Sequence, residues 1–332
     1  MTTNISLCLV AVSLCLIAGQ VCAGNDSVSA TSSTADVPAA GDGQLSYEFD
    51  AEETYVGDGD VERGGFHVRD FDENYSFARF VFTPRIKFGI LRLGAAYERF
   101  DFGLPDHTFA DGGFTPCPTC PTFQQFPGTQ IPDTLQAAYF IIGLDTQFSD
   151  SILFRIEARP GWFGAQSDVF DGDNFDLQGV IGGTYIYSST LQFVLGLGID
   201  LHGHYPVLPG GGVRWKFAPQ WTLDAVVPTP RLDYQVNKSL TVYGGADIKA
   251  NTYRVGSNYG DRRFDSRLNN AYMSYLEVRL GLGLDWKVCS AATLTAEGGY
   301  IPYRNFDFYR PSVRYHQDGG APYGSIALHM AF

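Results

Sequence analysis

The sequence predicts an all-β chain closed into an antiparallel transmembrane β-barrel of 12–14 strands. Three observations carry this reading. Long segments alternate between apolar and polar positions, short and long connections take turns, and the final segment alternates up to an aromatic last residue. Successive side chains of a strand point to opposite faces, so each such segment has one greasy face and one polar face. Strands of soluble proteins average about 5–6 residues, whereas the alternation from Tyr272 to Lys287 runs unbroken over the whole segment. Composition agrees without deciding. The 14% aromatic residues suit strands and interface girdles, and the 38 Gly suit tight turns and crowded interiors.

At the start, residues 1–23 carry no charged side chain, and a continuous apolar stretch from Ile5 to Ala18 is followed by Val21-Cys22-Ala23. This is the pattern of a secretory signal peptide cut after Ala23, although Lys or Arg is missing from its start. No later apolar run approaches about 18 residues, which excludes helical membrane spans. Residues 24–44 are rich in Ser, Thr, Ala, Gly and Asp and offer little to bury, so a disordered periplasmic linker is expected before a barrel over 45–332. The net charge of −13 argues against nucleic-acid binding. Three cysteines, Cys117, Cys120 and Cys289, follow the signal, too few and too odd for a disulfide framework.

The strands follow in order. Ile152, Phe154, Ile156, Ala158 and Trp162 oppose Arg155, Glu157 and Arg159. Leu191, Phe193, Leu195, Leu197, Ile199 and Leu201 oppose Gln192, Gly196, Gly198, Asp200 and His202. Leu240, Val242, Gly244, Ala246 and Ile248 oppose Thr241, Tyr243, Asp247 and Lys249. In the clearest segment, Leu276, Val278, Leu280, Leu282, Leu284 and Trp286 oppose Glu277, Arg279, Asp285 and Lys287. The charged face cannot meet lipid, where a midplane Arg or Lys costs about 2–4 kcal/mol. Short turns are read at Pro84-Arg85, Ser149-Asp150, Ser188-Ser189, Pro219-Gln220, Asn237-Lys238 and Cys289-Ser290, with longer loops at 101–134, 164–174, 202–210, 251–271 and 305–320. The uncertain members are the first strand, at about 45–56, and the pair around Val227-Pro228-Thr229-Pro230, where the prolines must sit at a turn because each removes a ladder donor.

In the last segment, Ile326, Leu328, Met330 and Phe332 alternate with Ser325, Ala327, His329 and Ala331. This resembles the C-terminal signal of bacterial outer-membrane barrels, with Ala327 where many such signals carry Gly. The resemblance implies an assembly role for those four apolar residues, and the barrel-assembly machinery and outer-membrane lipid as partners. Leu208 to Val255 also carries Pro209-Gly210-Gly211-Gly212, Arg214, Trp221-Thr222-Leu223, Pro228-Thr229-Pro230-Arg231, Tyr234, Tyr243-Gly244-Gly245 and Thr252-Tyr253-Arg254. These elements resemble an uncharacterised outer-membrane β-barrel family of unknown function, common in planctomycete-type bacteria. The resemblance covers the C-terminal half well and implies no catalytic residues.

Candidate sites are few. Arg155, Glu157, Arg159, Arg214, Lys216, Asp247, Lys249, Glu277, Arg279, Asp285 and Lys287, with Arg79, Arg92 and Glu98, are expected to face the lumen. There they either tune the selectivity of an open channel or pair across the lumen and fill it, and the second reading is preferred. Asp168, Asp171, Asp173 and Asp176 offer oxygen ligands for Ca²⁺, but their spacing is not an EF-hand's and a solvated acidic loop explains them better. Cys117 and Cys120 are expected to form a local loop disulfide, and Cys289 to be an isolated thiol. His202 and His204 near Asp200 are read as ordinary rim residues, since no GxSxG motif accompanies them. The expected function is that of an outer-membrane protein, structural or porin-like, with passage of small solutes, no cofactor and no enzyme activity. The alternatives are a lipid-modifying enzyme or a surface-interaction barrel with a plugged lumen.

Overall fold

The computed structural model describes residues 46–64, 66–104, 109–110, 129–165, 170–263 and 265–332. The expected signal peptide and linker lie outside them. The barrel strands are β1 (Tyr47–Arg63), β2 (Phe66–Phe82), β3 (Gly89–Gly103), β4 (Thr134–Ser149), β5 (Ile152–Gly164), β6 (Phe175–Ser188) and β7 (Leu191–Asp200). There follow β8 (Val207–Ala218), β9 (Trp221–Asp224), β10 (Arg231–Gln235), β11 (Leu240–Arg254), β12 (Tyr272–Lys287) and β13 (Ala292–Phe308). The last, β14, is in two pieces, Val313–Asp318 and Ala321–Ala331, both lying between β13 and β1. Each strand pairs antiparallel with the next, and β1 pairs with both β2 and β14, which closes a 14-stranded barrel. The closing register runs from Glu48 opposite Ala331 to Val56 opposite Tyr323. At its end Tyr47 N–H donates to the Phe332 carbonyl (2.6 Å) and Phe332 N–H to that of Tyr47 (3.0 Å). Closure leaves no long sheet edge to template aggregation.

All six expected short turns join consecutive strands at one end of the barrel. At the other end the strands run further than alternation suggested. β1 reaches Arg63 instead of stopping near residue 56, and the expected loop 305–320 is mostly strand, leaving only 309–312 as connection. The reason is packing. Val61, Val68, Phe306, Phe308, Val313 and Tyr315 turn inward into a buried cluster, and the strands continue as long as their inward residues have this core to join. The expected loop 202–210 likewise ends early, with β8 starting at Val207.

β9 and β10 are short, and Pro228 and Pro230 sit at their turn as expected, with a cis Val227–Pro228 bond. Having no N–H, the prolines contribute only carbonyls, which accept from Ile248 (3.0 Å) and Ala246 (2.8 Å) of β11. On the other flank Val227 N–H reaches the Gly211 carbonyl of β8 at 3.3 Å. Above this level, among the described residues, no strand pairs with β8 at 207–210 or with β11 at 249–253 on the facing sides. At the same end β5 and β11 meet directly, Gly164 beside Arg254, with Ala165 N–H donating to the Arg254 carbonyl at 2.9 Å. The barrel mouth is therefore pinched between β5 and β11, with β6–β10 as a separate arc.

The outer face is apolar. Leu195 and Leu282 are 74% and 75% exposed, and Phe140, Ile142, Phe193, Leu197, Leu280 and Leu284 extend the band. Aromatic rings border it at both ends. Trp215, Phe217, Trp221 and Tyr234 form a chain of ring contacts near the short turns, and Trp162 packs between Phe170 and Phe175 near the long connections.

Glycine sets the strand spacing where β13 bulges against β12, for a Cβ on Gly299 would overlap the Leu280 carbonyl. Gly299→Ala should lower unfolding stability by about 1–3 kcal/mol in urea titrations of the detergent-folded barrel. Gly324→Ala, where nothing lies within 4 Å, should leave it within about 0.5 kcal/mol. Equal effects would contradict this account of the bulge.

Candidate functional site in the barrel interior

The interior is organised around four charges. Glu73 of β2, Glu277 and Arg279 of β12, and Arg304 of β13 are buried, at 0%, 0%, 1% and 0% exposure. Arg279 holds Glu277 at 2.5 Å, Glu52 of β1 at 3.1 Å and Glu73 at 3.4 Å. Arg304 holds Glu277 at 2.8 Å, and lies 3.1 Å from Glu73 in an ion pair without hydrogen-bond geometry. The Tyr275 hydroxyl bridges the two carboxylates, 3.0 Å from Glu73 and 2.7 Å from Glu277. Two guanidiniums thus meet two carboxylates, with Arg304 directly opposite Glu277 on the neighbouring strand and Glu73 reaching in from β2. Nearby, Lys249 lies 3.1 Å from both Glu52 and Asp247.

Above this kernel the lumen is apolar. Phe71 and Tyr75 of β2, Phe100 and Phe102 of β3, Tyr275 and Phe306 interlock with ring centroids 4.6–5.8 Å apart. Tyr259 and Leu268, from the connection before β12, cap the cluster, with the Tyr259 hydroxyl donating to the Gln130 carbonyl at 2.7 Å. Burial raises the pKa of that hydroxyl. In the same connection Asp265 is held below the usual carboxylate range by its hydrogen bonds to Arg267.

Most of the remaining lumen charges expected from the sequence point inward and are paired. Arg155 grips Asp145 at 2.6 Å, Arg159 grips Glu157 at 2.7 Å, and Arg92 reaches Glu48 at 2.9 Å and Glu157 at 3.7 Å. Arg79 holds Asp50 at 2.8 Å, and His329 lies 2.6 Å from the other oxygen of that carboxylate. Glu98 accepts from Asn251 (3.0 Å) and Tyr253 (2.6 Å). On the far wall Arg214 holds Asp224 at 2.9 Å and Arg231 holds Asp285 at 3.2 Å. Lys287 ends β12 at the short-turn side, and Lys216 is exposed there without an ion pair among the described residues. The arc opposite the kernel differs. Gly182 of β6, Gly196 and Gly198 of β7, and Gly210 and Gly212 of β8 occupy the inward positions, alternating with outward Ile181, Leu195, Leu197 and Val213. At the level of Gly182, Gly196 and Gly210 this wall adds no side chain to the lumen, whereas Val180 and Leu208 flank Gly198, and Thr184 and Val194 stand beside Gly212.

Other expected sites fall as follows. Asp168, Cys117 and Cys120 lie outside the described residues. Asp171 caps the 3₁₀ turn Gly172–Asn174, Asp173 accepts from Arg254 through its carbonyl at 2.5 Å, and buried Asp176 lies 2.9 Å from His202. His204 sits 3.3 Å from Asp307 and meets Ser274 only through its backbone N–H at 3.5 Å. Cys289 is disulfide-bonded, to a partner outside the described residues, which corrects the expectation of an isolated thiol. Leu328 and Met330 pack with Ala292 and with half-buried Phe49, Ala51 and Ile326, on the face opposite His329, while Phe332 meets Tyr47 in a tilted ring contact. Sequence reasoning missed Glu52, Glu73 and Arg304. Its available signal was that Glu73 shares a face with Phe71 and Tyr75, a combination unsuited to lipid.

Glu277→Ala leaves two buried guanidiniums with too few partners and should cost about 3–5 kcal/mol in urea unfolding. The more exposed pair Arg99–Asp101 (2.6 Å) should contribute about 0–1 kcal/mol when Arg99→Ala is measured in the same way. Similar costs for both would show that the kernel has no special weight.

Among solved structures the chain is similar to the COG4313 outer membrane channel from Pseudomonas putida F1, at 6% identity and TM-score 0.44, over 91% of this chain and 100% of that one. It is also similar to the P. putida toluene transporter TodX, at 11% identity and TM-score 0.39, over 88% of this chain and 91% of that one. A KdgM porin matches at 9% identity and TM-score 0.33, over 86% and 99%. No curated protein matches the sequence. A family profile matches residues 152–321, from the start of β5 into β14, which is just over half of the chain. The protein therefore belongs to the family described as a domain of unknown function, DUF6268.

Proposed function

We propose that the protein is an outer-membrane barrel of porin-like character, with a narrow passage for small solutes along the glycine-lined arc β6–β8. Its kernel and aromatic cluster are the fixed wall of that passage. The supporting observation is the asymmetry of the lumen. Charges and rings fill the side of β1–β5 and β11–β14, while the facing arc is bare at the level of Gly182, Gly196 and Gly210 and carries only small or aliphatic side chains beside Gly198 and Gly212. The outward apolar band, its aromatic borders and the one-sided short turns support a membrane setting. The enzyme alternative gains nothing from the His204–Ser274 contact, which uses backbone and not the imidazole.

Two measurements test this. Leu282→Arg places a cation in the outer band at a cost of about 2–4 kcal/mol and should sharply reduce the heat-modifiable folded fraction in lipid vesicles. Unchanged folding would argue against a membrane-facing band. In planar bilayers the folded full-length protein should give small, discrete conductance steps, which Gly196→Phe should reduce by filling the bare arc. Silence from a demonstrably folded barrel would overturn the passage and favour the plugged, surface-interaction reading.

A further inference from the structure

Where β1, β2 and β14 extend beyond the apolar band, five titratable side chains share the outer face. Glu62 stands directly opposite His67 on one side and His316 on the other, and Asp60 stands opposite Asp318. Their intervening neighbours Val61, Val68 and Tyr315 point inward into the buried cluster, so this row points out. His316 Nε2 is 2.7 Å from one Glu62 oxygen, His67 Nε2 is 3.6 Å from the other, and His67 Nδ1 is 3.5 Å from Asp318. One ligand atom each from Glu62, His67 and Asp318 falls within 4.8 Å of the other two.

We propose that Glu62, His67, His316 and Asp318 form a binding site for a zinc-class divalent cation on the outer rim. The spacing fits. Atoms bound to one tetrahedral zinc at about 2.0–2.1 Å lie about 3.4 Å apart, and one atom each from Glu62, His67 and Asp318 already lies within 4.8 Å of the other two, so a change of side-chain rotamer gathers them on one ion, with half-exposed His316 reaching it from the other side of Glu62. The donor set fits as well. Two imidazoles with two carboxylates suit zinc and its neighbours in the transition series, whereas Ca²⁺ and Mg²⁺ prefer oxygen alone. The charge pattern gives an independent reason, since carboxylates directly opposite across strands repel and Asp60 with Asp318 make such a pair beside Glu62. A divalent cation bound here relieves that repulsion. All four ligands stand on hydrogen-bonded strands, which fixes their approach before any ion arrives.

Calorimetric titration of Zn²⁺ into the EDTA-treated, detergent-folded full-length barrel tests the site. The expected result is a one-to-one event with micromolar or tighter affinity, weakened at least tenfold in His67→Ala and in His316→Ala and unchanged in His202→Ala. Heat-modifiable gel mobility confirms that each variant is folded. Co²⁺ should give visible ligand-field bands in the parent that vanish in His67→Ala. Absence of Zn²⁺ binding, or binding insensitive to both His67→Ala and His316→Ala, would overturn the proposal. So would equal affinity for Ca²⁺ that survives His67→Ala, which would mark an acidic patch only.

Discussion

Two guanidiniums and two carboxylates enclosed in the barrel set the terms for everything around them. Removing such charges from water is expensive, and the cost is met only if every partner stays in place. Glu73, Glu277, Arg279 and Arg304 come from β2, β12 and β13, and Glu52 adds β1. A one-residue slip in any of these strands would turn its charge to the outer face and leave the others unpaired. The kernel therefore specifies register more than it adds stability. It couples strands from the two ends of the sequence, across the seam where β14 pairs with β1 to close the sheet.

The aromatic cluster depends on the kernel in turn. Tyr275 belongs to both, its hydroxyl between the carboxylates and its ring against Phe100 and Phe306. Because these rings need inward positions, β1, β13 and β14 continue past the apolar outer band as a collar. The glycine arc has no comparable duty. Its strands are held by ladder hydrogen bonds and outward apolar contacts, so stability and lumen shape are assigned to different parts of the circumference.

Much of this was legible in the sequence. Alternation in β12, β7 and β11 assigned inward and outward faces correctly, and the six short turns and the proline turn fixed the strand count once β9 and β10 were accepted as short. Glu277, Arg279, Asp247 and Lys249 were read as inward, and all four take part in ion pairs there. The rest was hidden for physical reasons. A period of two says that Phe71, Glu73 and Tyr75 share a face, but not that a ring-rich face turns inward. Which carboxylate meets which guanidinium depends on curvature across the lumen, and no local pattern encodes that. Cys289 shows the same limit, since a cysteine at a turn does not itself reveal that it is disulfide-bonded.

The junction of β5 with β11 acts mechanically as a chord across a hoop. A plain barrel under lateral tension can dilate or flatten around its whole perimeter. Here the chord at Gly164 and Arg254 holds nine strands to a fixed cross-section, and deformation is confined to the arc of β6–β10. That arc has the all-glycine level at Gly182, Gly196 and Gly210 and the short β9–β10 hairpin, so any strain from the surrounding bilayer concentrates where the wall is thinnest and lowest.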